Sequence, residues 1–333
     1  MKLYTPDYYS KFRCIASACP DSCCQEWEIC VDDEAAARYR ALPGALGEHL
    51  RQVLRDTEDG TMMTIENRRC PMWRQDGLCQ IQYELGHDAL CATCREFPRL
   101  KHDFGTFTEL GLELSCPEAA RLILSSSQEY AVTETEGFED PDYDEEVMDI
   151  LLESRKEVLD FLINTDLPLN EALAVVLIYG HEVQSALDGG DLLPLDAQSA
   201  LTLAMENALS PDWDGFVDFF RALEILTPRW EARLNAPRSP VPWNETFLAL
   251  AKYGIGRWWL QAVSDFDLIC RVKLVVSMCL LVNFLGGDTV QTAQLFSKEI
   301  ENSTDNVEAI LDGAYTAPAL TDVNLLSLLL KGQ

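Results

Sequence analysis

Cys19-Pro20-Asp21-Ser22-Cys23-Cys24 and Cys91-Ala92-Thr93-Cys94-Arg95 are the two stretches on which the reading of this chain turns. Cys70, Cys79 and Cys116 lie between and after them, so ten of the twelve cysteines precede residue 117. The other two, Cys270 and Cys279, sit in an apolar run with no ligand spacing nearby. A C-x3-C-C group followed by C-x2-C gathers several thiols on tight turns, as a thiophilic metal ion or an iron–sulfur cluster requires. An even cysteine count also fits a disulfide-stapled secreted domain. Residues 1–7 contain no apolar stretch and no small-residue cleavage site, and a chain of 333 residues needs no staples. The expected setting is therefore the reducing cytoplasm, and the expected chemistry is metal ligation. The candidate ligands are Cys19, Cys23, Cys24, Cys70, Cys79, Cys91, Cys94 and Cys116. They suffice for two four-thiolate sites or for one cluster with thiols to spare, and spacing alone does not divide them.

The charge is equally uneven. The chain is 47% hydrophobic, enough for a sizeable core, yet carries a net charge of −29. Residues 1–128 contribute −6 of this and residues 129–333 contribute −23. With a pI near 4.3, a nucleic-acid partner and an anionic membrane are excluded, and a lysine-bearing partner suits the surface better.

The fold expected is mainly α, with a small irregular cysteine-rich metal-binding domain at 1–128, an acidic linker at 129–144 and an α-helical bundle at 145–333. Asp32 or Asp33 is placed to cap a helix that ends near Pro43-Gly44, and a second helix follows from Leu46 to Leu54. Residues 61–65 read as a short strand, and Asp76-Gly77 as a turn that brings Cys70 to Cys79. Gly86 closes a helical turn that begins after Cys79, Pro98 stops the one that begins near Cys91, and residues 104–110 alternate like a strand. Cys116 stands at the threshold of a helix with Pro117 at its first position, where the helix dipole favours a thiolate. Residues 129–149 hold ten acidic and no basic side chains, as a solvated linker would. Beyond them the apolar residues keep helical spacing. Within the apolar run from Leu268, only residues 274–285 are free of charge, a length that suits a buried core helix and not a membrane span.

No dinucleotide fingerprint, P-loop, nucleophile elbow or zinc-protease motif is present. His87 and His102 fall within the cysteine region and are weighed as ligands, with an ordinary surface or core role the simpler reading.

The segments Phe12-Arg13-Cys14, Cys19 to Cys24, Gly77-Leu78-Cys79-Gln80-Ile81, Glu84-Leu85-Gly86, Leu90-Cys91-Ala92-Thr93-Cys94-Arg95-Glu96-Phe97-Pro98-Arg99 and Leu114-Ser115-Cys116-Pro117-Glu118 resemble the flagellin lysine-N-methylases. Their N-terminal part belongs to the cysteine-rich zinc- or iron-chelating domains. The resemblance is specific over residues 12–124 and loose beyond them. It implies a cytoplasmic methyltransferase that moves methyl groups from S-adenosylmethionine to flagellin lysines and holds an iron–sulfur cluster, 4Fe-4S in type, on its cysteines. Gln82 departs from the family's pattern, in which a histidine is expected, and this favours an all-cysteine site. The chain has no alternating strands and helices with a glycine-rich loop, so the cofactor is not held in the Rossmann manner. A four-iron cluster with three protein thiolates would leave one iron open to chelate S-adenosylmethionine, although the C-x3-C-x2-C spacing of radical enzymes is absent. The residues alone also admit a non-catalytic reading, in which closed zinc sites fold the first domain and the helices bind a protein partner. No catalytic base is assigned; Tyr83, Glu84 and Glu96 lie nearest the cysteines in sequence.

Overall fold

The computed structural model describes residues 1–25, 27, 29–58, 60–137 and 140–332. The chain opens with strand β1 (Lys2–Pro6) and continues through β2 (Ile29–Val31), α1 (Asp33–Ala41), α2 (Gly44–Val53), β3 (Leu54–Thr57) and β4 (Gly60–Met63). Two short helices, α3 (Gln80–Leu85) and α4 (Ala92–Glu96), precede β5 (Arg99–Asp103), β6 (Phe107–Leu112), α5 (Pro117–Leu124) and β7 (Tyr130–Glu134). Everything after this is helical: α6 (Glu145–Asn164), α7 (Leu169–Leu187), α8 (Ala197–Asn207), α9 (Trp213–Arg221), α10 (Pro228–Leu234), α11 (Glu245–Trp258), α12 (Ile269–Leu285), α13 (Thr289–Ile300), α14 (Thr304–Thr316) and α15 (Asp322–Lys331). The protein is mainly α, as expected.

Local chemistry explains most boundaries. The Asp32 carboxylate accepts from Ala35 N at 2.9 Å, and Asp33 and Glu34 occupy the first turn of α1. Asp144 caps α6 in the same way through Glu146 N and Val147 N. Gly86 ends α3 at φ 88°, a backbone region that glycine enters without strain.

Among the described residues two apolar cores result. The smaller packs Ile29, Val31, Tyr39, Leu50, Met63, Met72 and Ile81 together with Cys70 and Cys91, around the antiparallel sheet β2-β4-β3. The larger runs from Tyr8 and Phe12 through Leu112, Leu114 and Ile123 to Leu329, so that the first residues and α5 share a core with the helices. At its centre lies α12, all seventeen residues of which are buried. α11 crosses it at Gly254, where a Cβ would stand 2.8 Å from Met278 Cε and 2.9 Å from Val275 Cγ1. The two charges of α12 are paired. Arg271 reaches Asp265 at 2.8 Å, and Lys273 reaches Asp322 at 3.2 Å and donates to Ala314 O at 2.8 Å. Among the described residues no helix is long and apolar enough to cross a membrane.

The strands differ most from expectation. The opening residues, read only as aromatic and mixed, form β1, which pairs parallel with β6 (Lys2 with Phe107) and antiparallel with β7 (Leu3 with Thr133). β5 adds to β6, giving the order β5-β6-β1-β7. β7 lies inside the acidic stretch expected as a linker; its residues are all exposed, and backbone pairing, not burial, holds it. Each partner is a hundred or more residues distant from β1, beyond the reach of local periodicity.

Glu299 on α13 is fully buried. One carboxylate oxygen accepts from Leu226 N at 2.8 Å, while Oε1 has no partner. Burial pushes its carboxyl up from 4.5 to about 7, against the help of Thr227, Leu226 and Lys298. Between those values the folded chain binds more protons than the unfolded one, so stability contributed here falls as pH rises from 4.5 to 7. Glu299→Gln should therefore stabilise the protein at pH 8 by roughly 1–3 kcal/mol, an advantage that vanishes below pH 4.5. Denaturant melts across this range provide the measurement; a pH-independent difference would contradict the assignment.

Candidate metal centre

Several cysteines of the first third are positioned by simple local devices. Cys70 N donates to Cys24 O at 2.8 Å, which ties the Cys19–Cys24 loop to the Cys70–Cys79 segment. After Cys70 the chain reverses at Asp76-Gly77, with Arg74 N donating to Leu78 O at 2.9 Å and Gly77 at φ 79°. Trp73 thereby bridges to Cys79, as the turn chemistry predicts. Cys79, Cys91 and Cys116 each take the N-cap position, of α3, α4 and α5 respectively. None of the three closes a cap hydrogen bond. Backbone N–H groups still face the sulfurs and favour ionisation: Ile81 and Gln82 at Cys79, Cys94 at Cys91, Glu118 and Ala119 at Cys116.

These devices bring the eight expected ligands into one neighbourhood. Cys23 is hydrogen-bonded to Cys24, and its charge bears on Cys19, Cys70, Cys79, Cys94 and Cys116. Cys91 acts on Cys70 and Cys79 and pairs with Cys94 through a thiol hydrogen bond. Cys14 acts on Cys19. Cys30 is exposed on β2, and Cys270 and Cys279 are buried in α12.

Crowding governs the ionisation of these thiols. Burial pushes Cys70 and Cys116 up to about 12 and also raises Cys19 and Cys79. The bond to Cys24, then burial, raises Cys23. The hydrogen bond from Cys94 draws Cys91 down to about 7, so Cys91 ionises first and Cys94 keeps its proton. Among the described residues no three His, Cys, Asp or Glu side chains stand grouped tightly enough to hold a metal ion in this arrangement. The donor set nonetheless fits a thiophilic group, because a soft metal would replace thiol protons that the buried sulfurs cannot easily release to water.

The helical body grips this centre from one side. Lys298 of α13 is 2% exposed, and its ammonium reaches Asp21 at 2.9 Å and lies 4.9 Å from the centre of the Trp27 ring. Gln294 donates to Asp21 Oδ2 at 3.1 Å and to Ser115 O at 2.7 Å, so one helix holds the residues beside Cys19, Cys23 and Cys116. Burial works against the Asp21 carboxylate, yet Lys298, Ser22 N and Gln294 hold it below its usual range. Lys298 and Gln294 carry no sequence signal of this role; they lie more than 270 residues from Asp21 and read as ordinary helix positions.

The other expected neighbours lie apart. His87 is exposed beside Asp88, and His102 is half-buried against Arg257. Tyr83 is exposed beneath Arg74, Glu84 accepts from Gln80, and Glu96 pairs with Arg95.

Lys298→Met keeps the apolar stem and leaves Asp21 buried without its cation. The substitution should cost roughly 3–5 kcal/mol and speed amide exchange at residues 19–24 while α1 and α2 keep their protection. Unchanged exchange at 19–24 would show that the cysteine loop holds its place without this grip.

No family model matches the chain, and no solved structure matches it. Among curated proteins it is 30% identical over 146 residues to the flagellar biosynthetic protein FliU of Salmonella muenchen, covering 40% of this chain and 83% of that protein. It is 29% identical over 136 residues to the lysine-N-methylases of Salmonella typhimurium and Salmonella choleraesuis, covering 39% of this chain. That match spans about a third of the length of both methylases, 34% in each case. With most of FliU covered at this identity, the chain belongs to the flagellin lysine-N-methylase family.

Proposed function

We propose that this protein is a protein-lysine N-methyltransferase that acts on flagellin, uses S-adenosylmethionine and carries an iron–sulfur cluster on its N-terminal cysteines in the cytoplasm. The observation that supports the reading is the link between Cys23 and six other expected ligands, Cys19, Cys24, Cys70, Cys79, Cys94 and Cys116, with Cys91 joined through Cys70, Cys79 and Cys94. Cys19, Cys23, Cys24, Cys70, Cys79, Cys91, Cys94 and Cys116 are the residues that would hold the cluster. A bound cluster supplies one-electron chemistry or an open iron position. The family names of the relatives support lysine methylation as the reaction.

The chain's own residues address two further needs. A lysine ammonium has no lone pair to give, so the target amine has to be neutral before transfer, which burial next to the protein favours. The net −23 of residues 129–333 attracts lysine-bearing faces of a substrate.

Protein prepared without oxygen should be brown, contain iron and sulfide, and bleach in air. Colourless protein with stoichiometric zinc and no iron after anaerobic reconstitution would favour the structural-zinc reading instead. Incubation of loaded protein with S-adenosylmethionine and flagellin should add mass in steps of one methyl group. Transfer should slow as salt shortens the Debye length from ~30 Å at 0.01 M to ~3 Å at 1 M. Replacing Cys23 and Cys24 together by alanine should abolish transfer and leave α6 to α15 folded; full activity in that variant would make the thiol centre structural.

A further inference from the structure

A cavity of about 450 Å³ lies between the β5-β6-β1-β7 sheet and helices α6 and α11, within the size range of sites for small organic ligands. Tyr4, Tyr8 and Tyr130 supply aromatic surface, and Leu110 and Leu112 supply apolar wall. Gly111 and Gly256 leave part of its volume open.

The polar groups of the cavity are unequally satisfied. Arg155 and Glu109 neutralise each other in a buried two-point pair, at 2.9 and 2.5 Å. Lys252 donates to Ser127 O at 2.6 Å, and Lys156 is paired with Asp160. Arg257 is different: it makes no ion pair among the described residues, its Nε is buried without a partner, its Nη1 meets the His102 ring at 3.1 Å, and its guanidinium lies over the Trp258 ring at 4.8 Å. Glu113 feels its charge at longer range. Burial, and then the Arg257 charge, push His102 down to about 4, so the ring is neutral at pH 7 and its Nε2 accepts from Arg257. A half-buried guanidinium whose Nε is cut off from water, and which has no anion beside a small-molecule cavity, is an incomplete ion pair.

We infer that this cavity binds the methyl donor, with the methionyl carboxylate of S-adenosylmethionine on Arg257 and the sulfonium and adenosine against the tyrosine faces. The inference rests on the methyltransferase reading above and gives that reaction a donor site built from protein side chains. Tyrosine faces attract a sulfonium as they attract other cations. The cavity also adjoins the thiol centre: Tyr253 of its wall accepts from Leu114 N at 3.4 Å, two residues before Cys116.

The test measures the Kd of S-adenosylmethionine and of S-adenosylhomocysteine by calorimetry on the full cluster-loaded protein, together with the KM for S-adenosylmethionine in flagellin methylation. Arg257→Ala should weaken both ligands at least tenfold with unchanged iron content and melting temperature, and Arg257→Lys should recover part of the loss. Gly256→Leu, which fills the cavity, should weaken binding without touching Arg257. Wild-type affinity and KM in both Arg257→Ala and Gly256→Leu would overturn the cavity assignment while leaving the methyltransferase reading standing. A wild-type protein that neither binds S-adenosylmethionine nor methylates flagellin would overturn that reading and this one together.

Discussion

Eight thiols gathered within one partly buried neighbourhood set the terms for the N-terminal half of this protein. Sulfur packs well in an apolar interior, but thiolates do not, and Cys94 alone feels the charge of Cys91, Cys24 and Cys23. Such a gathering is stable in two ways: with the protons retained and shared, as between Cys91 and Cys94, or with the charge taken up by a metal. The short elements around the thiols follow from this constraint. They are turns, N-caps and a small antiparallel sheet, each of which fixes one cysteine while burying little apolar surface of its own.

That half does not stand apart from the helices. Lys298 and Gln294 reach from α13 to Asp21 and Ser115, and the core that contains α12 continues into Phe12, Leu114 and Ile123. A cation buried beside Asp21 offsets negative charge at the loop that carries Cys19, Cys23 and Cys24, and it does so at a fixed position because α13 is itself packed in the core.

The cavity under the mixed sheet exists for a related reason. Closing β1 between β6 and β7 lays a sheet over α6 and α11, and Arg155 with Glu109 fastens the two layers. Glycines at 111 and 256 prevent the layers from filling the space between them. Arg257 is left facing that space between a neutral histidine and the Trp258 ring, with no carboxylate in ion-pair contact among the described residues.

The amino-acid sequence by itself determined those features whose cause lies within a few residues. Asp32 before an alanine-rich run specifies a capped helix, Asp76-Gly77 specifies the turn that joins Cys70 to Cys79, and Cys116-Pro117 specifies a thiol at a helix start. The uncharged length of 274–285 was enough to make α12 a core helix. The tertiary structure alone decided what depends on partners far along the chain. Lys2 beside Phe107, Tyr130–Glu134 as an edge strand within an acidic stretch, Lys298 against Asp21, and His102 turned from the cysteines to Arg257 are of this kind. Local dihedral preference and periodicity fix a helix or a turn before its neighbours are known. Which strand lies beside which, and which buried charge meets which carboxylate, is fixed only when the whole core closes and each group must find a partner or remain unsatisfied.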